Sequence, residues 1–214
     1  MAAPITHIVL ANKVFDNYFS KFEKGNFFVG TSFPDIRYLK IIDRDTTHFK
    51  NVELNLRTLN LDNSFVAGAK FHVIVDWIRE NYIIANNTYE RIPKSRYVTQ
   101  SLKLLEDELL YEKIGSWDQI VKDFEHIPYE QIDFVLDKKQ INRWFLLLRE
   151  YFLSKPTPEV RKKFILEIGF SEEDANGMNK LIETMRNDDG VIKVIYELFN
   201  QFELLLKEFT AKKI

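Results

Sequence analysis

The sequence predicts an all-α protein, a multi-helix bundle built around a buried central helix at about residues 64–85. Three observations carry this. Glycine and proline are scarce, seven and six in 214 residues, so long segments run without a breaker. Apolar residues recur along those segments with a period near 3.6. Between Phe65 and Ile78 the stretch FVAGAKFHVIVDWI is apolar or glycine at eleven of fourteen positions, the pattern of a helix buried on nearly all sides.

The elements follow in order. A first helix spans 4 to about 22, with Ile8, Ala11, Phe15, Tyr18, Phe19 and Phe22 as its apolar stripe and His7 on the flank of that stripe. Residues 25–49 are less regular: a short helix, a turn at 32–35 and a loop ending at His48, punctuated by Gly30 and Pro34. Asn63 or Ser64 caps the central helix. An amphipathic helix at 94–113 ends before Gly115, and another runs from 116 to about 125. Pro128 breaks the pattern, and 137–153 resumes it with Ile141, Trp144, Phe145, Leu148 and Phe152 on one face. Thr157-Pro158 reads as an N-cap with proline at the first helical position, opening a helix to 168 that Gly169 closes. Ser171 with Asp174 has the form of a capping box for a helix to about 186. After a turn at Asp188-Asp189-Gly190 the last helix occupies 191–212. No linker-like stretch interrupts the chain, which predicts a single helical domain over 1–214. Its site-bearing half is at about 1–90 and its amphipathic half at about 91–214.

Apolar content of 45% and charged content of 29% belong to a globular chain with one sizeable core. A net charge of −2 argues against broad electrostatic capture of nucleic acid. Cysteine is absent, so disulfides and thiolate metal ligands are excluded. No apolar run reaches the length of a membrane span, and the N-terminal segment lacks the pattern of a secretory signal, so a cytoplasmic protein is expected.

The polar residues able to carry chemistry concentrate before residue 80. His72 and Asp76 are four apart and share one face of the central helix. A carboxylate there is costly unless a cation, metal or hydrogen bonds meet it. Gly68 and Ala69 lie one turn earlier and leave space for another backbone or a ligand. His7, Asp35 and His48 complete the metal-ligand types of this third. Singly, each has an ordinary explanation: Asp35 as a turn cap after Pro34, His72 with Asp76 as an internal hydrogen bond. As a set, imidazole nitrogen and carboxylate oxygen suit zinc, and also manganese or iron.

The order of these features is familiar. THIVLANKVF, FFVGTSFPDIRYL, THF and FVAGAKFHVIVDW together resemble the zinc-dependent phospholipase C family, an all-helical fold shared by fungal single-strand nucleases. The matching positions are His7; Gly30, Pro34 and Asp35; His48-Phe49; and His72 with Asp76, covering roughly residues 5 to 80. The resemblance implies that Asp35, His48 and His72 bind one metal, while His7 and Asp76 contribute to a second, with Asp76 bridging. Secreted members add an N-terminal Trp amine, where this chain reads Met1-Ala2. They also add a later His and a His-x-x-x-Glu pair; here Tyr82 stands ten residues after His72, and His126 with Glu130 is interrupted by Pro128. A mono- or dinuclear site is therefore expected rather than a trinuclear one. A second resemblance is to the acyl-carrier-protein phosphodiesterases, which share Gly-x-x-x-His-x-x-x-Asp.

The expected function is metal-dependent hydrolysis of a phosphoester, in a small molecule or a lipid headgroup, by a metal-activated water. The expected cofactor is a divalent metal, zinc foremost. Asp35 and His72 are the catalytic candidates, with Asp35 doubling as general base, and Arg37 and Lys40 could steady phosphate charge. The alternative is a non-catalytic helical interaction protein with a degenerate or structural metal site. The missing outer ligands and the eighteen phenylalanines support it.

Overall fold

The structure, a computed structural model, describes residues 4–50 and 52–211. Among these it has twelve α-helices and no strand: α1 Pro4–Tyr18, α2 Lys24–Ser32, α3 Arg44–Thr47, α4 Leu56–Leu59, α5 Ser64–Ala85, α6 Thr88–Arg91, α7 Val98–Leu110, α8 Asp118–Asp123, α9 Lys138–Phe152, α10 Pro158–Glu167, α11 Glu172–Arg186 and α12 Asp189–Ala211. Short 3₁₀ turns occupy Pro34–Leu39, Tyr111–Lys113 and Tyr129–Gln131. The all-α expectation holds. Met1-Ala2 and the expected end of the last helix at 212 lie outside the described residues. No helix among the described residues is long and apolar enough to cross a membrane.

The central helix forms where the sequence places it. The Asn63 side chain accepts from the Val66 N–H at 2.8 Å and starts α5. Phe65, Phe71, Ile74 and Val75 are then fully buried. Helix α2 lies directly on it, and two glycines set the distance. A Cβ on Gly30 would stand 2.0 Å from the Phe65 carbonyl oxygen, and one on Gly68 2.0 Å from the Phe27 carbonyl oxygen. Gly30 is thus no punctuation mark but the interior of α2 at its crossing with α5. The room left by Gly68 is filled by backbone.

The later helices pack around this pair. Trp144 on α9 donates its indole N–H to the Ser32 carbonyl at 3.0 Å, which fixes the end of α2 where the Pro34 turn begins. All eighteen phenylalanines are buried or packed against the core, so the aromatic richness is used inside the molecule rather than on a docking face. The Thr157 and Ser171 caps form as expected. Asp188 differs: its Oδ1 accepts from the N–H groups of Gly190 and Val191, capping α12 directly instead of closing a separate turn.

Helix α7 also departs from ordinary amphipathic patterning, because Lys103, Glu106 and Asp107 are all buried. Arg79 pairs with Glu106 at 2.6 Å, both side chains fully buried, joining α5 to α7. Asp107 Oδ1 accepts from the backbone N–H of Thr6 at 2.7 Å and its hydroxyl at 2.9 Å. It thereby satisfies an N-terminal donor of α1, one residue before His7. Burial pushes the Asp107 carboxyl up to about 8. Between the ordinary carboxylate range near pH ~4 and about 8, the unfolded chain releases a proton that the folded chain keeps. The group's contribution to stability is complete below that window and is lost as pH rises through it. Asp107→Asn keeps the acceptor and removes the proton, so its thermal midpoint should gain on wild type by up to ~3–5 °C per pH unit between pH 5 and 8. A midpoint difference that stays constant across that range would refute this.

Candidate metal centre

Four elements bring the five sequence candidates to one place. His7 comes from the first turn of α1, and Asp35 from the start of the Pro34–Leu39 turn. His48 closes α3, and His72 and Asp76 sit one turn apart on α5. Every one is between 1% and 5% exposed. Asp76 is the hub. Its Oδ1 lies 3.7 Å from His7 Nε2, and its Oδ2 lies 3.5 Å from His48 Nε2 and 3.8 Å from His72 Nε2. The imidazoles of His7 and His72 stack in parallel at 3.8 Å, and His48 stands edge-on to His72 at 5.3 Å.

Two overlapping triads could each hold a metal ion: His7, His72 and Asp76, and Asp35, His48 and His72, the donor atoms of each lying within 4.8 Å of one another. Two donors on one tetrahedral ion with bonds of ~2.1 Å stand about 3.4 Å apart. The separations around Asp76 are only slightly wider.

The outer hydrogen bonds fix which nitrogen faces inward. His72 Nδ1 lies 2.8 Å from the Thr31 carbonyl oxygen. A carbonyl only accepts, so Nδ1 carries the proton and Nε2 presents its lone pair to the cluster. Burial pulls the His72 imidazole down to about 3, leaving it neutral. Burial and the neighbouring His72 lower His7 in the same way. Near His48, the Thr47 hydroxyl lies 3.3 Å from the Arg44 carbonyl oxygen and 3.4 Å from that of Asp43, either of which it can donate to, and 3.0 Å from His48 Nδ1. Accepting from Nδ1–H there aims the His48 Nε2 lone pair inward as well. His72 Nε2 makes no hydrogen bond within the described residues. A neutral nitrogen lone pair facing a carboxylate oxygen is repulsive until a cation lies between them.

The remaining candidates divide. Arg37 turns back on Asp35, its guanidinium 3.3 Å from Oδ1. Lys40 is exposed at the left-handed end of the turn. His126 is exposed and bonds the Lys122 carbonyl at 3.1 Å, so it takes no part. Lys103 was not singled out in the sequence. It lies between Leu102 and Leu104 on a helix that reads as amphipathic, yet it is 4% exposed and lines a cavity together with Asp35. Its i,i+4 spacing to Asp107, inside the arc that also holds Leu102, Leu105 and Glu106, was the available signal.

No protein-family model, curated protein or solved structure matches the chain. What the molecule itself establishes is an all-helical fold with buried His/Asp clusters that could hold a metal.

Proposed function

We propose that the chain is a metal-dependent hydrolase of phosphoester bonds, of the phospholipase C-like kind. The observation that carries this reading is the His72 lone pair aimed at a carboxylate inside a five-residue cluster, with its tautomer fixed from behind by Thr31. A divalent ion there, zinc foremost and manganese or iron also suited, would supply an activated water and polarise a phosphoryl oxygen. Asp35, His48 and His72 would hold one ion, and His7 with Asp76 would contribute to a second, the single Nε2 lone pair of His72 serving one ion only. Asp76 turns one oxygen to His7 and the other to His48 and His72, the disposition of a bridging carboxylate. Asp35 lines the cavity and is the proton acceptor, kept in orientation by Arg37.

Purified protein should carry stoichiometric zinc, manganese or iron. It should hydrolyse bis(p-nitrophenyl) phosphate, lose that activity to a chelator and regain it on adding the metal. Protein free of such metals, with no rise in thermal midpoint on adding any of them, would sink the reading. A second reading has one observation in its favour, the near-complete burial of all five candidates: a structural metal in a helical interaction protein. Bound metal with no turnover of any phosphoester would favour it.

A further inference from the structure

The gap that a second ion would occupy lies between His7 Nε2 and Asp76 Oδ1, 3.7 Å apart. Its two sides belong to different helices. Asp76 sits in the middle of the 22-residue α5, whereas His7 is in the first turn of α1. Helix ends fray, and their first N–H groups have no partner within the helix. Yet the His7 imidazole stacks on that of His72 at 3.8 Å with an interplanar angle of 3°. Something outside α1 must fix its first turn.

Helix α7 does so, although it carries none of the five ligand candidates. Asp107, fully buried, accepts from both the backbone N–H and the hydroxyl of Thr6, at 2.7 and 2.9 Å. His7 is the next residue, ~1.5 Å of helix rise beyond this clamp. The clamp also has a fixed base. Glu106, the residue before Asp107, accepts from Arg79 of α5 with both carboxylate oxygens, 3.1 and 3.2 Å from Nε and 2.6 Å from Nη2. Arg79 stands about one helical turn beyond Asp76. Successive residues of a helix point ~100° apart, so α7 grips α5 with one carboxylate and α1 with the next. Both sides of the gap are thereby tied to one frame. The first ion's ligands have other supports: Asp35 on the Pro34–Leu39 turn, His48 at the end of α3, and His72 through the Thr31 carbonyl.

We infer that Asp107 is the positioning residue of the second-ion site: through Thr6 it holds His7 within bonding reach of an ion shared with Asp76, and it does not serve the first ion. This deepens the hydrolase reading above and rests on its two-ion arrangement. A metal-ligand constellation has to be held to within ~0.5 Å, and the first turn of α1 is the part of this one most in need of an anchor. The effect of Asp107 is therefore selective for one ion of two, which a clamp that only stabilised the fold would not be.

The test titrates the full chain, stripped by a chelator, with zinc and reads a Kd for each equivalent. Wild type should take two. In Asp107→Ala the second equivalent should bind roughly 10–100-fold more weakly, the loss expected when a ligand's support is removed, while the first stays within about twofold. Asp107→Asn keeps the acceptor and should return the second Kd close to that of wild type. Thr6→Val removes only the hydroxyl bond and should weaken the second equivalent about fivefold; it decides the matter if Asp107→Ala does not fold. The inference is overturned if folded Asp107→Ala, or Thr6→Val in its place, binds both equivalents as wild type does or loses both alike. It is also overturned if Asp107→Asn loses as much as Asp107→Ala, or if wild type takes a single equivalent. Each of these leaves the hydrolase reading standing, whereas wild-type protein that takes up no metal fails that reading first.

Discussion

Gly68→Ala is expected to lower the thermal midpoint by ~6–12 °C, and Gly30→Ala to do the same. The added methyl at Gly68 would meet the Phe27 carbonyl oxygen at 2.0 Å and the Thr31 nitrogen at 2.8 Å; at Gly30 it would meet the Phe65 carbonyl oxygen at 2.0 Å. These obstacles are helix backbone, which cannot rotate aside as a side-chain end can. The two helices must move apart, and over-packing of this kind costs roughly 3 kcal/mol, which for a chain of this size gives the stated shift. The consequence reaches the site, because α2 carries the Thr31 carbonyl that orients His72. Metal affinity should therefore fall roughly 10–100-fold in protein that still folds. Gly115→Ala is the control, since nothing lies within 4 Å of the added carbon. Thermal denaturation and metal titration of the three variants decide it; a Gly68→Ala midpoint within 2 °C of Gly115→Ala would refute the argument.

The same glycine pair shows how far the sequence could be read. Gly68 was legible as a place of close approach, since a glycine inside a strong helical run has a packing reason. Its partner was not. Gly30 sits in a segment too short and too mixed for periodicity to act on, and only the crossing with α5 explains it. Asp76 was legible for the opposite reason: a carboxylate in an apolar helix must be met, and His72 one turn away narrowed the face. The other groups around it lie 28 and 69 residues upstream, and only the order of motifs pointed to them. Lys103 escaped because an amphipathic stripe reports one buried face, while α7 is enclosed over a wider arc. Nothing in a single helix's pattern reveals a second wall. Lys40 stands in solvent for a local reason, because the 3₁₀ turn ends at it in a left-handed conformation.

His72→Ala and His7→Ala should differ in kind, and that difference tests which imidazole the first ion depends on. His72 belongs to both triads, so its loss leaves each with two donors; His7 belongs to one. His72→Ala should therefore retain no stoichiometric metal, while His7→Ala should retain the ion held by Asp35, His48 and His72 and lose one equivalent. Loss of an outer hydrogen-bond partner alone costs roughly 10–100-fold in metal affinity, the effect expected of Thr47→Val behind His48. Removing His72 must exceed that, and phosphoester turnover should fall with it by at least ~10³-fold. Stability supplies a readout free of activity. Ligand that binds only the folded chain raises the midpoint in proportion to the logarithm of its excess over Kd. Wild type and His7→Ala should then both be stabilised by added zinc, His7→Ala less, and His72→Ala not at all. Equal metal content in the two variants would break the argument, because a site that loses the same amount from either side does not have His72 at its centre.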